Sequence, residues 1–303
     1  GWGHTARVFD VSFAYPSFDY GDEPSHPILV SAGEDSTTRI WNPLQTKEVT
    51  HPLRGHDCES VWTVDFCDDI IVTGGNDGCV KLWNLDICMM QGRGDIKTFV
   101  VPKDPTNTPT SSDETTTSEV TMTKPRKKQK KKPKVSGQLI CGMELYKGHK
   151  LVVATRAGGL FTLDLRQNTW TKHKCWHDNV ISSEDKSKLQ VDATTGTCIS
   201  VSPSAAIVIV GTTEGWLVVA SLDSSNDSSS ICNYAFRCPS YHPVQSISWI
   251  DDDNVVVFYA RGSVIWFKME ETLVPLHILA LGTPGIPLSF AYDYKQSMYI
   301  GDS

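Results

Sequence analysis

No apolar stretch in this chain approaches the roughly 20 residues that a bilayer-crossing helix requires, and no basic-then-apolar leader opens it at Gly1. Its nine cysteines include no Cys-x-x-Cys pair, and the odd number argues against a closed disulfide framework. Cys67, Cys79, Cys141 and Cys198 lie inside apolar runs and read as small buried hydrophobes of a reducing compartment, the cytosol first. Also missing are a Walker loop, a strand-following Gly-x-Gly-x-x-Gly, His-Glu-x-x-His and the Gly-x-Ser-x-Gly elbow. Those absences remove the common nucleotide, zinc-peptidase and hydrolase chemistries, so no catalytic residue and no cofactor is expected. His173, Cys175 and His177 alternate and would share one face of a strand, but a zinc site takes about four ligands and nothing nearby completes the set. No metal is expected.

The net charge of -7 conceals a division. Lys124, Arg126, Lys127, Lys128, Lys130, Lys131, Lys132 and Lys134 form one basic strap with no acid in it, and the rest of the chain carries 20 basic against 35 acidic side chains. Ahead of the strap, residues 101–123 are mostly Thr, Ser, Pro, Asp and Glu, too polar to offset the entropy of ordering. Residues 93–137 are therefore expected to form a disordered loop between residues 1–92 and 138–303. The strap fits a nuclear-import signal, a phosphate-contacting tether or a solubilising insert equally in kind. With no aromatic residue among the lysines, any nucleic-acid contact there would be electrostatic and blind to sequence. Asp251-Asp252-Asp253-Asn254 reads as a solvated turn before a strand. The chain starts at a residue other than Met and stops just after the apolar Met298-Tyr299-Ile300, and is expected to be part of something longer.

What is present is a repeat. Leu29 to Trp41 lies on Ile71 to Trp83 without a gap, pairing Ser31 with Thr73, Asp35 with Asp77 and Trp41 with Trp83. A Gly-His precedes each copy, at Gly3-His4 and Gly55-His56, and the longer first unit carries a Pro-rich insert, residues 16–27. Val61–Phe66, Ile70–Thr73 and Cys79–Trp83 have the β-branched and aromatic content of strands, and Asn76-Asp77-Gly78 is a hairpin turn signal. Fainter copies run over Leu151–Leu163, Ala206–Val219 and Asn254–Trp266, with Ser297–Ile300 as the second strand of a further one. In these copies Trp83 is answered by Asp164, Ala220 and Phe267, and the turn Asp by Gly158, Glu214 and Arg261.

Gly-His, two strands joined by an Asp-bearing turn, and a closing Trp are similar to the WD-repeat β-propeller, whose units are four-stranded blades. The resemblance implies an all-β protein of about five four-stranded blades and the start of a sixth, an incomplete ring whose exposed edges should pair or aggregate unless the rest of its chain completes it. It also implies a structural role for His4, Ser31, Asp35 and Trp41 and for His56, Thr73, Asp77 and Trp83: a buried hydrogen-bond chain in each blade, despite residue types that elsewhere serve nucleophilic catalysis. The opening Gly1 to Phe13, with Ala6-Arg7-Val8-Phe9, resembles the large WD-repeat subunits that partner tRNA 2′-O-ribose methyltransferases acting on the first anticodon nucleotide. That likeness implies a non-catalytic scaffold in the cytoplasm, or the nucleus given the Lys-rich segment, which binds a methyltransferase catalytic subunit, meets tRNA indirectly or through the basic loop, and touches no membrane. Arg7 and Arg39 are the candidate partner contacts. The alternative is a general protein-interaction scaffold in ubiquitin ligation or ribosome assembly.

Overall fold

The computed structural model describes residues 3–14, 27–45, 47–57, 59–67, 69–91, 96–102, 138–173, 195–222, 232–237, 242–270, 272–280, 287–292 and 298–302. Most of the Pro-rich insert, the strap from Lys124 to Lys134, and Cys175 and His177 lie outside them.

Strands follow one another as antiparallel meanders, each meander a blade. Blade 1 comprises β1 (Val8–Ala14), β2 (Ile28–Gly33) and β3 (Thr37–Asn42), with its outer position shared by the two-residue strands β4 (Lys47–Glu48) and β5 (Leu53–Arg54). Blade 2 is β6 (Val61–Cys67), β7 (Ile70–Gly75), β8 (Cys79–Asn84) and β9 (Ile96–Val100), with a short helix α1 (Leu85–Gln91) between the last two. Blade 3 holds β10 (Ile140–Tyr146), β11 (Lys150–Thr155), β12 (Leu160–Asp164) and β13 (Thr169–Lys172). Blade 4 holds β14 (Gly196–Val201), β15 (Ile207–Thr212), β16 (Trp216–Ser221) and β17 (Cys232–Arg237). Blade 5 holds β18 (Val244–Trp249), β19 (Asn254–Tyr259), β20 (Ser263–Met269) and β21 (Leu273–Ala280), and a sixth sheet opens with β22 (Pro287–Tyr292) and β23 (Met298–Asp302). The first strands β1, β6, β10, β14 and β18 line the centre, each packed against the next, and β18 packs in turn against β22.

Buried side chains form joints between blades. Val30 and Ile40 of blade 1 meet Val61, Val64 and Ile71 of blade 2 in one apolar cluster. Val72 and Val80 meet Ile140 and Met143 at the next joint, Val152 and Ala154 meet Val201 and Val208 at the third, and Ile209 and Leu217 meet Val244 and Ile247 at the fourth. Close approach needs small residues. A Cβ on Gly211 would come within 2.5 Å of Val244, and one on Gly142 within 2.7 Å of Ile199.

Two sequence expectations shift. The loop does not begin at residue 93: Ile96–Val100 pairs with β8 as the outer strand of blade 2, and Val101 is fully buried. Helix α1 went unforeseen; Asn84 Oδ1 accepts the Ile87 N–H at its start, and Leu85 and Cys88 turn inward. In blade 3 the pairing Leu151↔Leu163 matches Ile71↔Trp83, so Leu163, not Asp164, holds the Trp position, and Ala157, not Gly158, holds that of the turn Asp. Gly158 instead matches Gly78, both at positive φ (91° and 71°), as are Gly215 and Gly262 at the corresponding turns. Cys79 and Cys141 are buried, whereas Cys198 is only partly so; the side chain of Cys67 falls outside the description.

Candidate functional site

The eight repeat-defining residues assemble into two separate chains of hydrogen bonds. In blade 2, Trp83 Nε1–H donates to Thr73 Oγ1 (3.0 Å), which lies 2.7 Å from His56 Nε2, while His56 Nδ1 is 3.0 Å from Asp77 Oδ1. An ionised carboxylate only accepts, so Nδ1 carries the proton, Nε2 accepts, and the Thr73 hydroxyl donates to it. That leaves Asp77 Oδ2 as the one oxygen of the set without a hydrogen-bond donor. In blade 1, Trp41 Nε1 to Ser31 is 2.8 Å, Ser31 to His4 Nε2 is 2.7 Å and His4 Nδ1 to Asp35 is 2.9 Å. Gly33 and Gly75 make room for the imidazoles: a Cβ on either would stand 2.5 or 2.6 Å from the histidine ring.

Electrostatics fix the acidic ends. Burial would raise the Asp35 carboxyl, but the Thr37 hydroxyl, His4 and the Thr5 amide hold it well below the usual range. Burial acts on Asp77 likewise, and His56, the Cys79 amide and Lys81 outweigh it. Arg39, expected as a partner contact, is instead buried at 7% exposure, with Nη1 2.8 Å from Glu48 and Nη2 3.8 Å from Asp35. Its counterpart Lys81 reaches Thr98 at 3.3 Å and lies 4.0 Å from Asp77. The signal for this fifth member was a basic residue four positions after each turn Asp, buttressing it from the next strand. Arg7 stays on the surface, its side chain 82% exposed and 3.8 Å from Glu34.

Both sets share the connectivity of a catalytic triad, hydroxyl to Nε2 and Nδ1 to carboxylate, but neither presents its hydroxyl to a substrate. Ser31 and Thr73 are 3% and 0% exposed, and each hydroxyl is already engaged on both sides by the indole and the imidazole. Among the described residues, blades 3 and 4 show no histidine at this place. Where Gly33 and Gly75 stand, they carry Thr155 and Thr212, whose hydroxyls accept the Gly159 N–H (2.9 Å) and the Trp216 N–H (3.0 Å) and so lock the hairpin turn directly. His173 is buried, 2.7 Å from Thr162 through Nε2, and burial lowers its pKa.

The central channel holds what sequence reasoning missed. It encloses about 530 Å³, and three carboxyls line it, each reaching the backbone of the following blade. Asp10 accepts from Val64 N–H and the Thr63 hydroxyl (both 2.9 Å), Asp65 from Leu145 N–H (2.7 Å), and Glu144 from Val201 N–H (2.8 Å). Burial pushes Asp10 up to about 6 and Glu144 up to about 8, and raises Asp65. An acid flanked by apolar residues within a strand, as in Val64-Asp65-Phe66, was the available signal. At one mouth, the Phe9 and Trp62 rings stack at 4.0 Å and 19°, and the Arg156 guanidinium sits 4.1 Å from the Trp62 centroid. Phe9 covers one face of the indole, so Arg156 takes the other.

Residues 2–42 and 47–84 match the WD domain, G-beta repeat, and these segments hold the two hydrogen-bonded tetrads. The fold is a β-propeller whose first two blades match the WD repeat. Across 91% of this chain it resembles the β-propeller domain of Myceliophteria thermophila Cps50 (Swd1), with a TM-score of 0.57 and 14% identity, covering 72% of that chain. It resembles the computationally designed Ika8 protein over 99% of its length, TM-score 0.55 and 14% identity, again covering 72% of the solved chain. In sequence the chain is similar to Mitochondrial division protein 1 of Aspergillus clavatus, 38% identical over 82 residues, 27% of this chain and 11% of that protein. It is also similar to Nuclear distribution protein nudF 1 of Talaromyces marneffei, 32% identical over 85 residues, 27% of this chain and 17% of that one. Cell division control protein 4 of Candida albicans is 32% identical over 85 residues, 28% and 11% of the two chains. The matched stretch spans under a fifth of each of these relatives.

Proposed function

We propose that this chain is a non-catalytic propeller scaffold that grips a tRNA 2′-O-ribose methyltransferase and helps place tRNA for methylation of the first anticodon nucleotide. The likeness of Gly1 to Phe13 to the large WD-repeat subunits of such complexes carries the reading. In its support, that segment presents Arg7 to solvent and contributes Phe9 to the stack at the channel mouth. The partner would bind S-adenosylmethionine and perform the transfer, and the segment from Lys124 to Lys134 would tether phosphate without reading bases. Scaffolding rather than turnover accords with tetrads whose hydroxyls are all engaged within the blades.

A general protein-interaction scaffold, serving ubiquitin ligation or ribosome assembly, is the second reading. It draws on the relatives, whose names span nuclear distribution, mitochondrial division and cell-division control. Affinity purification from the host with mass spectrometry separates the two. A stoichiometric S-adenosylmethionine-dependent methyltransferase, together with loss of anticodon ribose methylation on deletion, is the expected result. Recovery of ligase or ribosome-assembly subunits with intact tRNA methylation would replace it with the second reading.

A further inference from the structure

Charge is spread unevenly over the ends of the blades. Because each blade is a meander, the turn after its first strand and the turn after its third emerge at the same end. In blade 5 those turns carry Asp251, Asp252, Asp253 and Glu270, and in blade 4 the first of them, residues 202–206, is uncharged. Blade 3 reverses the sign: Lys147, His149, Lys150 and Arg166 stand at or beside its two turns, with Asp164 their one acid. Hydrogen bonds make the two turns one platform. His149 O accepts the Leu165 N–H (2.8 Å), and Asp164 Oδ1 accepts the amides of Arg166 and Gln167 (2.9 Å each). From blade 2, Lys97 Nζ reaches the side-chain oxygen of Asn168 on the same platform. Lys97, Lys147 and Arg166 are exposed, and a Cβ on Gly148 would meet nothing within 4 Å, so the approach is open.

The outer strands β9 and β13 extend the platform into a seam. Lys97 and Phe99 pair with Leu82 and Val80, while Trp170 and Lys172 pair with Leu163 and Phe161, and those four partners share the apolar cluster between blades 2 and 3. Alternate residues share a face of a strand, so the two lips confront each other, each with a half-buried aromatic beside an exposed lysine. Lys97 Nζ lies 5.1 Å from the Phe99 centroid, and Trp170 meets Phe161 edge-on at 6.2 Å and 83°. We propose that this seam binds single-stranded RNA, with Lys97, Lys147, Lys150 and Arg166 on phosphates and an unpaired base against Phe99 and Trp170. The aromatics select RNA over an acidic peptide, which would use the cations alone, whereas every base has a π-face to stack. The acidity of the rest of the chain is no bar, because charges more than about 8 Å away are largely screened at physiological salt. This goes beyond the reading above, in which the segment from Lys124 to Lys134 meets phosphate, and it does not require the methyltransferase.

Fluorescence anisotropy with labelled oligouridylate tests it, on full polypeptide in which the basic residues from Lys124 to Lys134 are changed to Gln so that this segment does not contribute. Each lost phosphate contact should take about 0.7 from the slope of log affinity against log salt, so Lys147→Gln with Arg166→Gln should lower the slope by about 1.4. Lys268→Gln, at an exposed lysine beside the acidic turns of blade 5, should leave it unchanged. Oligouridylate carrying 4-thiouridine should photo-crosslink within residues 96–100 or 169–172. An unmoved slope in the double variant, an equal fall with Lys268→Gln, tighter binding of a Glu-rich peptide than of RNA, or crosslinks confined to other residues overturns the proposal. RNA binding at the seam with no methyltransferase recovered would support it while retiring the reading above, and a recovered methyltransferase with no RNA binding would do the reverse.

Discussion

Replacing Thr73 by Val removes one hydroxyl and keeps the branched shape that its strand favours. That hydroxyl serves two buried partners, so the indole N–H of Trp83 and Nε2 of His56 are both orphaned, at 2% and 1% exposure. Each unsatisfied buried polar group costs about 1–3 kcal/mol, so blade 2 should lose about 2–6 kcal/mol. Ser31→Ala provides the internal comparison. Trp41 is only half-buried and its indole can regain water, leaving His4 alone fully orphaned and the loss nearer about 1–2 kcal/mol. Urea titrations of the two variants, followed by tryptophan fluorescence and by hydrogen exchange of the β7 amides, would rank them. Equal losses, or a Thr73→Val loss below about 0.5 kcal/mol, would refute the claim that burial sets the worth of each tetrad.

Acidity should act from both sides. Asp10 and Glu144 bind protons more tightly folded than unfolded, so their penalty grows as pH rises from 3.8 to about 6 and from 4.5 to about 8. Asp35 and Asp77 are depressed, and their contribution is lost as pH falls below 3.8. Stability in denaturant titrations should peak near about pH 4 and decline by several kcal/mol toward pH 8, and Glu144→Gln should flatten most of that decline. Gly211→Ala should cost about 1–3 kcal/mol in denaturant titrations, because the new methyl meets Val244 at 2.5 Å. Ser36, at φ 65°, occupies the turn position that Gly78 holds in blade 2, and Ser36→Gly should raise stability by about 0.5–1 kcal/mol in the same assay.

Strands and turns of blades 1 and 2 were legible because the same residues both specify the local hairpin and close the tetrad. Asp77 is a turn former and an acceptor for His56, so pattern and packing agree. Blade 3 was read one residue out at its third strand, where Gly158-Gly159 offered two turn glycines and no Trp fixed the register. The outer strand Ile96–Val100 was hidden beside a polar run, since local composition carries no record of the β8 edge waiting for it. Arg39 misled for a related reason: its burial depends on Glu48, seven residues past the end of the repeat's visible motif at Trp41, closing over it. The channel carboxylates depend on strands 50 to 80 residues away, and no local pattern reports a contact at that range.

The carboxylate contacts and the tetrads run in perpendicular directions. Each tetrad ties its blade from the third strand toward the axis, like a spoke, whereas Asp10, Asp65 and Glu144 tie one inner strand to the next around the axis, like a hoop. Spokes resist the peeling of one blade's strands; a hoop resists the blades being pulled apart. The hoop described here runs from blade 1 to blade 4, whereas both spokes stand in blades 1 and 2. Blades 4 and 5 are joined instead at an exposed turn, where Asp252 accepts the Ser204 N–H at 2.7 Å. Under a pulling force applied at the C-terminal side, that seam should therefore give before the channel-lined seams between blades 1 and 4 in a single-molecule stretching record.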